Sequence, residues 1–175
     1  MDERTLSRRD MLAAGAGIVA AGSLSPVFDA QAVMQGATPM KDVTEFLASI
    51  ELNRNMGTID KTVTYQDSCH LSHGQKIRKQ PRQLLSAVPG LKFREMPMSD
   101  ICCGSAGIYN VLHTDLSMNI LESKMANVNL VKSDIIATAN PGCMIQLQAG
   151  VRKWGHGERV MHVVEILDEA YRDLA

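Results

Sequence analysis

The sequence predicts an α/β fold: an open, mostly parallel sheet of about four strands with helices on both faces. Four short runs of β-branched and apolar residues are bounded by turn residues. Segments with apolar residues at helical spacing alternate with them. The chain of 175 residues, 45% hydrophobic and 21% charged, has one domain's worth of core material. Strand–helix alternation implies right-handed crossovers and a sheet covered on both sides.

The elements follow in order. Residues 42–52 carry Val43, Phe46, Leu47 and Ile50 at helical spacing and predict a short amphipathic helix. Residues 61–67 read as the first strand, and 81–87 as a helix with Pro81 in its first turn. The turn Val88-Pro89-Gly90 leads to a second strand over 91–96. Asp115 is placed to cap a long helix to about Lys132, with Leu116, Ile120, Met125, Val128 and Val131 as its apolar stripe. Residues 134–139 give a third strand, and another helix starts near Cys143. Residues 159–164 give the fourth strand, and 165–174 a closing helix with Ile166, Leu167, Ala170 and Leu174 inward.

Charge and composition narrow the partners. Eighteen basic against nineteen acidic residues leave a net charge of −1, which attracts neither nucleic acid nor an anionic membrane. Aromatic residues make up only 4%, against 11 Met and 13 Gly, so a base-stacking surface is not expected. No Ser-His-Asp set, nucleotide loop or paired acids is apparent, which favours a carrier over a complete enzyme.

Residues 1–32 read as an address. Arg8-Arg9 precede Ala13 to Leu24, an uncharged run rich in Ala and Gly, and Ala30-Gln31-Ala32 forms a small-x-small cleavage site. This order is that of a twin-arginine export signal, with mature protein beginning near Val33 in the periplasm. The run is too short for a bilayer anchor, so no transmembrane segment is expected in the mature chain. The other locations are the cytoplasm, or a membrane reached through a partner. Residues 33–60 then form a connector with its short helix, and 61–175 the cysteine-rich domain.

The four cysteines fall just beyond predicted strand ends: Cys69 after the first, Cys102 and Cys103 after the second, Cys143 after the third. Loops converge at that edge of a parallel sheet, and ligands bind there. Gly104, Gly107 and Gly142 sit beside the thiols and permit close backbone approach. Thiolates suit iron–sulfur clusters and zinc alike, and an even cysteine count in an exported protein also allows two disulfides. His70 and His73 follow Cys69 closely and either approach the site or contact solvent. Lys76, Arg78, Lys79 and Arg82 form a basic run, read as a solvated helix face, a dock for an acidic partner, or a balance for the charge of a bound cluster.

Three motifs carry a resemblance: residues 65–75, YQDSCHLSHGQ; residues 102–110, CCGSAGIYN; and residues 140–150, NPGCMIQLQAG. Together they resemble the cysteine-rich CCG-domain family, in particular the last such domain of the glycolate oxidase iron–sulfur subunit. Domains of this type also occur in the cysteine-rich subunit of heterodisulfide reductase and in lactate-utilisation iron–sulfur proteins. The resemblance covers about residues 41–172.

It implies that Cys69, Cys102, Cys103 and Cys143 ligate an iron–sulfur cluster, expected as 4Fe-4S, with Gly104 and Gly142 lining it and His70, His73 and Asn140 around it. Asn140 stands where the family pattern has the first residue of a Cys-x-x-Cys pair. Relatives carry two CCG domains and ferredoxin-like Cys-x-x-Cys-x-x-Cys runs, whereas this chain has one CCG set and no such run. The implied role is electron transfer beside a flavoprotein dehydrogenase that oxidises a 2-hydroxy acid, or beside another iron–sulfur subunit. A second copy of the chain is the other partner. The competing reading is a truncated paralogue whose thiols hold zinc or disulfides and which serves as an assembly partner.

Overall fold

The computed structural model describes residues 41–172. The export-signal reading and residues 33–40 of the connector lie outside them. The elements are α1 (Val43–Ala48), β1 (Thr62–Gln66), a π turn (His70–Gln75), α2 (Lys79–Ala87), β2 (Lys92–Phe93), α3 (Tyr109–Leu112), α4 (Thr114–Val131), β3 (Ile135–Thr138), α5 (Pro141–Trp154), β4 (Arg159–His162) and α6 (Val163–Arg172).

The four strands form one parallel sheet in the order β2-β1-β3-β4. Val63 aligns with Phe93 on one side and Ile135 on the other, and Ile135 aligns with Arg159. The order reverses between β1 and β3, so the loops leaving those strands diverge to opposite faces and leave a crevice beyond their carboxyl ends.

Alternate strand residues feed two cores, as a period-two backbone requires. Val63, Tyr65, Ile135 and Ala137 pack with Leu84 and Leu85 of α2 and Ile166, Leu167 and Ala170 of α6. Ile136 points the other way, into Leu121, Met125 and Val128 of α4 and Leu147 of α5. Both faces of the sheet are therefore covered. At about 1.5–3 kcal/mol per fully buried large apolar side chain, these two layers supply the main drive for folding. No helix among the described residues is long and apolar enough to cross a membrane.

Several boundaries move. β2 has two residues rather than six, because it is an edge strand that pairs only with Thr62 and Val63 before Glu95 turns out to meet Arg82. α2 starts at Lys79, two residues before Pro81. β4 ends at His162, where α6 begins. On α4 the buried stripe is Ser117, Leu121, Lys124, Met125, Val128 and Val131, while Leu116 is exposed. Asp115 lies inside α4 and does not cap it; His113 precedes the helix without a side-chain cap. The first helix, expected over 42–52, ends at Ala48; on it Val43 and Phe46 are exposed and Leu47 packs partly against the core, while Ile50 lies exposed beyond its end. The π turn and α3 are additional elements within segments read as loops.

Candidate metal centre

Each cysteine is delivered by a different device. Cys69 starts the single π turn that follows β1, closed by the Ile77 amide donating to the Leu71 carbonyl at 2.9 Å. The Ser68 and Thr138 hydroxyls, 3.3 Å apart, tie the ends of β1 and β3 together at the crevice. Cys143 lies in the first turn of α5, where Asn140 is the N-cap and its side-chain oxygen accepts from the Cys143 amide at 3.0 Å. Pro141 fixes the first helical residue, so the thiol is set by a cap and a ring together.

Cys102 and Cys103 end a loop that has little regular structure and is held from outside. The Asp67 amide donates to the Ser99 carbonyl at 3.0 Å, and Lys124 Nζ donates to the Met98 carbonyl at 2.7 Å. Beyond the thiols, Ser117 Oγ donates to the Gly104 carbonyl at 2.8 Å and accepts from Gln146 Nε2 at 2.8 Å. Gln146 in turn accepts from Asn110 at 3.2 Å. Gly104 has φ +92°, and a Cβ there would stand 2.5 Å from the Ser117 carbonyl oxygen, so only glycine fits.

The four cysteines line one cavity of about 190 Å³ with Gln66, His70, Ser105, Gly107 and Asn140. None of them forms a disulfide. Cys103 and Cys143 are buried, Cys102 is half-buried and Cys69 is exposed, so the cavity opens on the Cys69 and His70 side. Ile101, Ile108, Val111 and Leu112, on the loop and short helix after β2, are exposed large apolar residues.

Cys103 and Cys143 line the same cavity and their ionisations are linked. The Cys143 thiol donates to Cys103, and the Ser105 amide and the Lys124 ammonium also favour its charge, bringing it down to about 7 against the effect of burial. Cys143 is pushed up, first by that same bond to Cys103 and then by burial. Burial also raises Cys102, against which the Gly104 amide donates to its sulfur at 3.3 Å.

The polar residues divide by position. His70 lines the cavity. His73 does not: its Nε2 lies 3.2 Å from the Asp100 carbonyl and its Nδ1 faces Arg78 at 3.4 Å. Asn140 lines the cavity but spends its side-chain oxygen on the α5 cap. Arg82 is neither a solvated nor a docking residue. It clamps Asp67 through both guanidinium ends, at 2.9 and 2.7 Å, and meets Glu95 at 2.7 Å. Gln66, Ser105, Ser117, Lys124 and Gln146 were not among the residues expected at the site. The one signal for Lys124 is its place in the helical period of Leu121, Met125 and Val128.

The donor set fits an iron–sulfur cluster. Four thiols is the number that both [2Fe–2S] and [4Fe–4S] clusters take. Among the described residues no three His, Cys, Asp or Glu side chains form a group that could hold a single metal ion. Gly104 and Gly142, expected to line the site, lie behind the lining residues rather than among them; a Cβ at Gly142 would press to 3.1 Å on both Asn140 Oδ1 and Ser105 Oγ.

Comparison with known proteins agrees with this geometry. Residues 63–148 match the model of the CCG cysteine-rich domain. Over 135 residues the chain is 41% identical to the probable glycolate oxidase iron–sulfur subunit of Bacillus subtilis, covering 75% of this chain and 30% of that protein. It is 34% identical over 133 residues to a fumarate reductase (CoM/CoB) subunit of Methanothermobacter marburgensis, covering 75% and 27%. It is 28% identical over 128 residues to lactate utilization protein A of Oceanobacillus iheyensis, covering 73% and 52%. The chain spans under a third of the first two relatives and about half of the third. With its four cysteines lining one cavity beyond the strand ends of a parallel sheet, the segment 63–148 belongs to the CCG family of cysteine-rich domains.

Proposed function

We propose that this domain binds a [4Fe–4S] cluster through Cys69, Cys102, Cys103 and Cys143 and serves as an electron carrier. The observation that carries the reading is the convergence of four thiols, from the segments that follow β1, β2 and β3, on one cavity at the carboxyl edge of the sheet. When bound, the cluster supplies storage for one electron at a time. The protein supplies the rest. Cys103 and Cys143 anchor the buried side, Cys69 and Cys102 the open side, and Gly104 and Gly142 allow the backbone to close on the site.

In this proposal the redox partner is a flavoprotein dehydrogenase acting on a 2-hydroxy acid; two relatives, a probable glycolate oxidase subunit and a lactate utilization protein, support the glycolate or lactate kind of substrate. A partner subunit covers the mouth. Exposed Ile108, Val111 and Leu112 beside the cavity favour such contact, since exposed apolar groups of this kind mark interaction surfaces. The leader directs the folded domain through the twin-arginine route to the periplasm.

The test is a reversible redox titration of anaerobically prepared protein followed in the visible range. Bleaching on reduction and recovery on oxidation is the expected result. A colourless protein that carries zinc and takes up no electron would overturn the reading.

A further inference from the structure

Lys124 is 1% exposed, on the face of α4 that packs under the cysteine loop. Its ammonium donates to two neutral carbonyls, Met98 at 2.7 Å and Ser99 at 3.4 Å, and among the described residues it makes no ion pair with a carboxylate. A charge taken this far from water is costly unless an opposite charge answers it. The two carboxylates that act on it most are engaged elsewhere: Asp67 by the two-point clamp of Arg82, and the partly exposed Asp100 by Arg78 at 3.4 Å. What remains to answer Lys124 is the group of thiols on the loop it holds, Cys102 and Cys103.

Resting on the cluster reading above, we infer that Lys124 is the buried counter-ion of the loaded site and raises its reduction potential. Four thiolates leave the loaded site net negative, and reduction adds one more negative charge. A fixed positive charge in a low-dielectric interior stabilises the reduced form more than the oxidised one. Because Lys124 also fixes Met98, whose φ of +52° is unusual for a side chain of that size, the same residue positions the loop. Burial lowers the ammonium to about 8 in the metal-free protein, and Cys103, Asp100, Asp67 and Cys102 all oppose that fall, so a negatively charged site keeps it protonated.

The experiment compares wild type, Lys124→Gln, Lys124→Arg and the surface control Lys153→Gln after identical anaerobic reconstitution. Iron and sulfide contents are measured first, and midpoint potentials second. Lys124→Gln should lower the reduced-to-oxidised ratio at a fixed ambient potential at least tenfold, equivalent to about 59 mV for a one-electron couple. Lys124→Arg and Lys153→Gln should stay near the wild-type value. If Lys124→Gln folds but holds no cluster, Lys124→Arg should still hold one; equal loss in both overturns the counter-ion role. Equal potentials in loaded wild type and loaded Lys124→Gln also overturn it and leave the cluster reading intact. A wild type that takes up neither iron nor sulfide overturns the cluster reading itself.

Discussion

Arg82 grips both carboxylate oxygens of Asp67, at 2.9 and 2.7 Å, and lies over the Tyr65 ring at 5.1 Å. Asp67 is the residue that leads β1 into the Cys69 turn, and its side chain is 3% exposed. Arg82 comes from α2 and reaches across to Glu95, on the way to Cys102. One guanidinium therefore joins the two loops that carry three of the four thiols.

Removing one partner leaves the other charge buried alone. Arg82→Ala should cost about 3–5 kcal/mol of stability. Arg82→Lys should recover only part of that, because a single ammonium cannot make the two-point contact. Urea denaturation of the metal-free protein measures both; an alanine variant within about 0.5 kcal/mol of wild type would contradict the clamp.

Two glycines with positive φ should respond differently to alanine. At Gly107, φ +68°, no atom lies within 4 Å of a new Cβ, so Gly107→Ala meets only the backbone penalty of about 1–2 kcal/mol. Gly104→Ala meets a backbone penalty of the same order and the Ser117 carbonyl at 2.5 Å as well. Thermal melts of the two metal-free variants should rank Gly104→Ala well below Gly107→Ala. The reverse order would contradict the close packing of α4 on the cysteine loop.

Lys124 gives the metal-free protein a pH signature. Its folded value of about 8 lies below the ~10.4 of an unfolded lysine. Between these values the unfolded chain holds more protons, so stability should rise with pH across that window relative to Lys124→Met. Below pH 8 the burial penalty is present in full. Paired denaturation curves from pH 7 to 10.5 check this, and a difference that does not change with pH would contradict it.

Much of this was legible in the sequence, for physical reasons. Strand ends mark where loops leave a parallel sheet, so Cys69, Cys102, Cys103 and Cys143 could be placed at one edge from strand–helix alternation. Gly104 could be picked out because a glycine beside a metal ligand has few other uses. Lys124 could not, since a lysine in a helix ordinarily faces water, and only the loop packed over α4 buries it. Ser117 displaced Leu116 from the buried stripe because its hydroxyl is needed by the Gly104 carbonyl and Gln146. The π turn at His70 and the shortness of β2 are set by pairing and capping across the fold, which local propensity does not contain.

The proposal of twin-arginine export can be tested apart from the site. An Arg8→Lys, Arg9→Lys double variant should accumulate in the cytoplasm as the longer precursor, followed by fractionation and mass. Normal periplasmic levels of the double variant would rule out the twin-arginine route.

The most direct test is the iron and acid-labile sulfide bound per chain after anaerobic reconstitution, for wild type and for Cys103→Ser. The account predicts four of each in wild type. It also predicts that Cys103→Ser loses most of its iron while keeping its secondary structure, because the two apolar layers do not depend on that thiol. Wild type holding one zinc and no sulfide, or Cys103→Ser with unchanged iron, would contradict it.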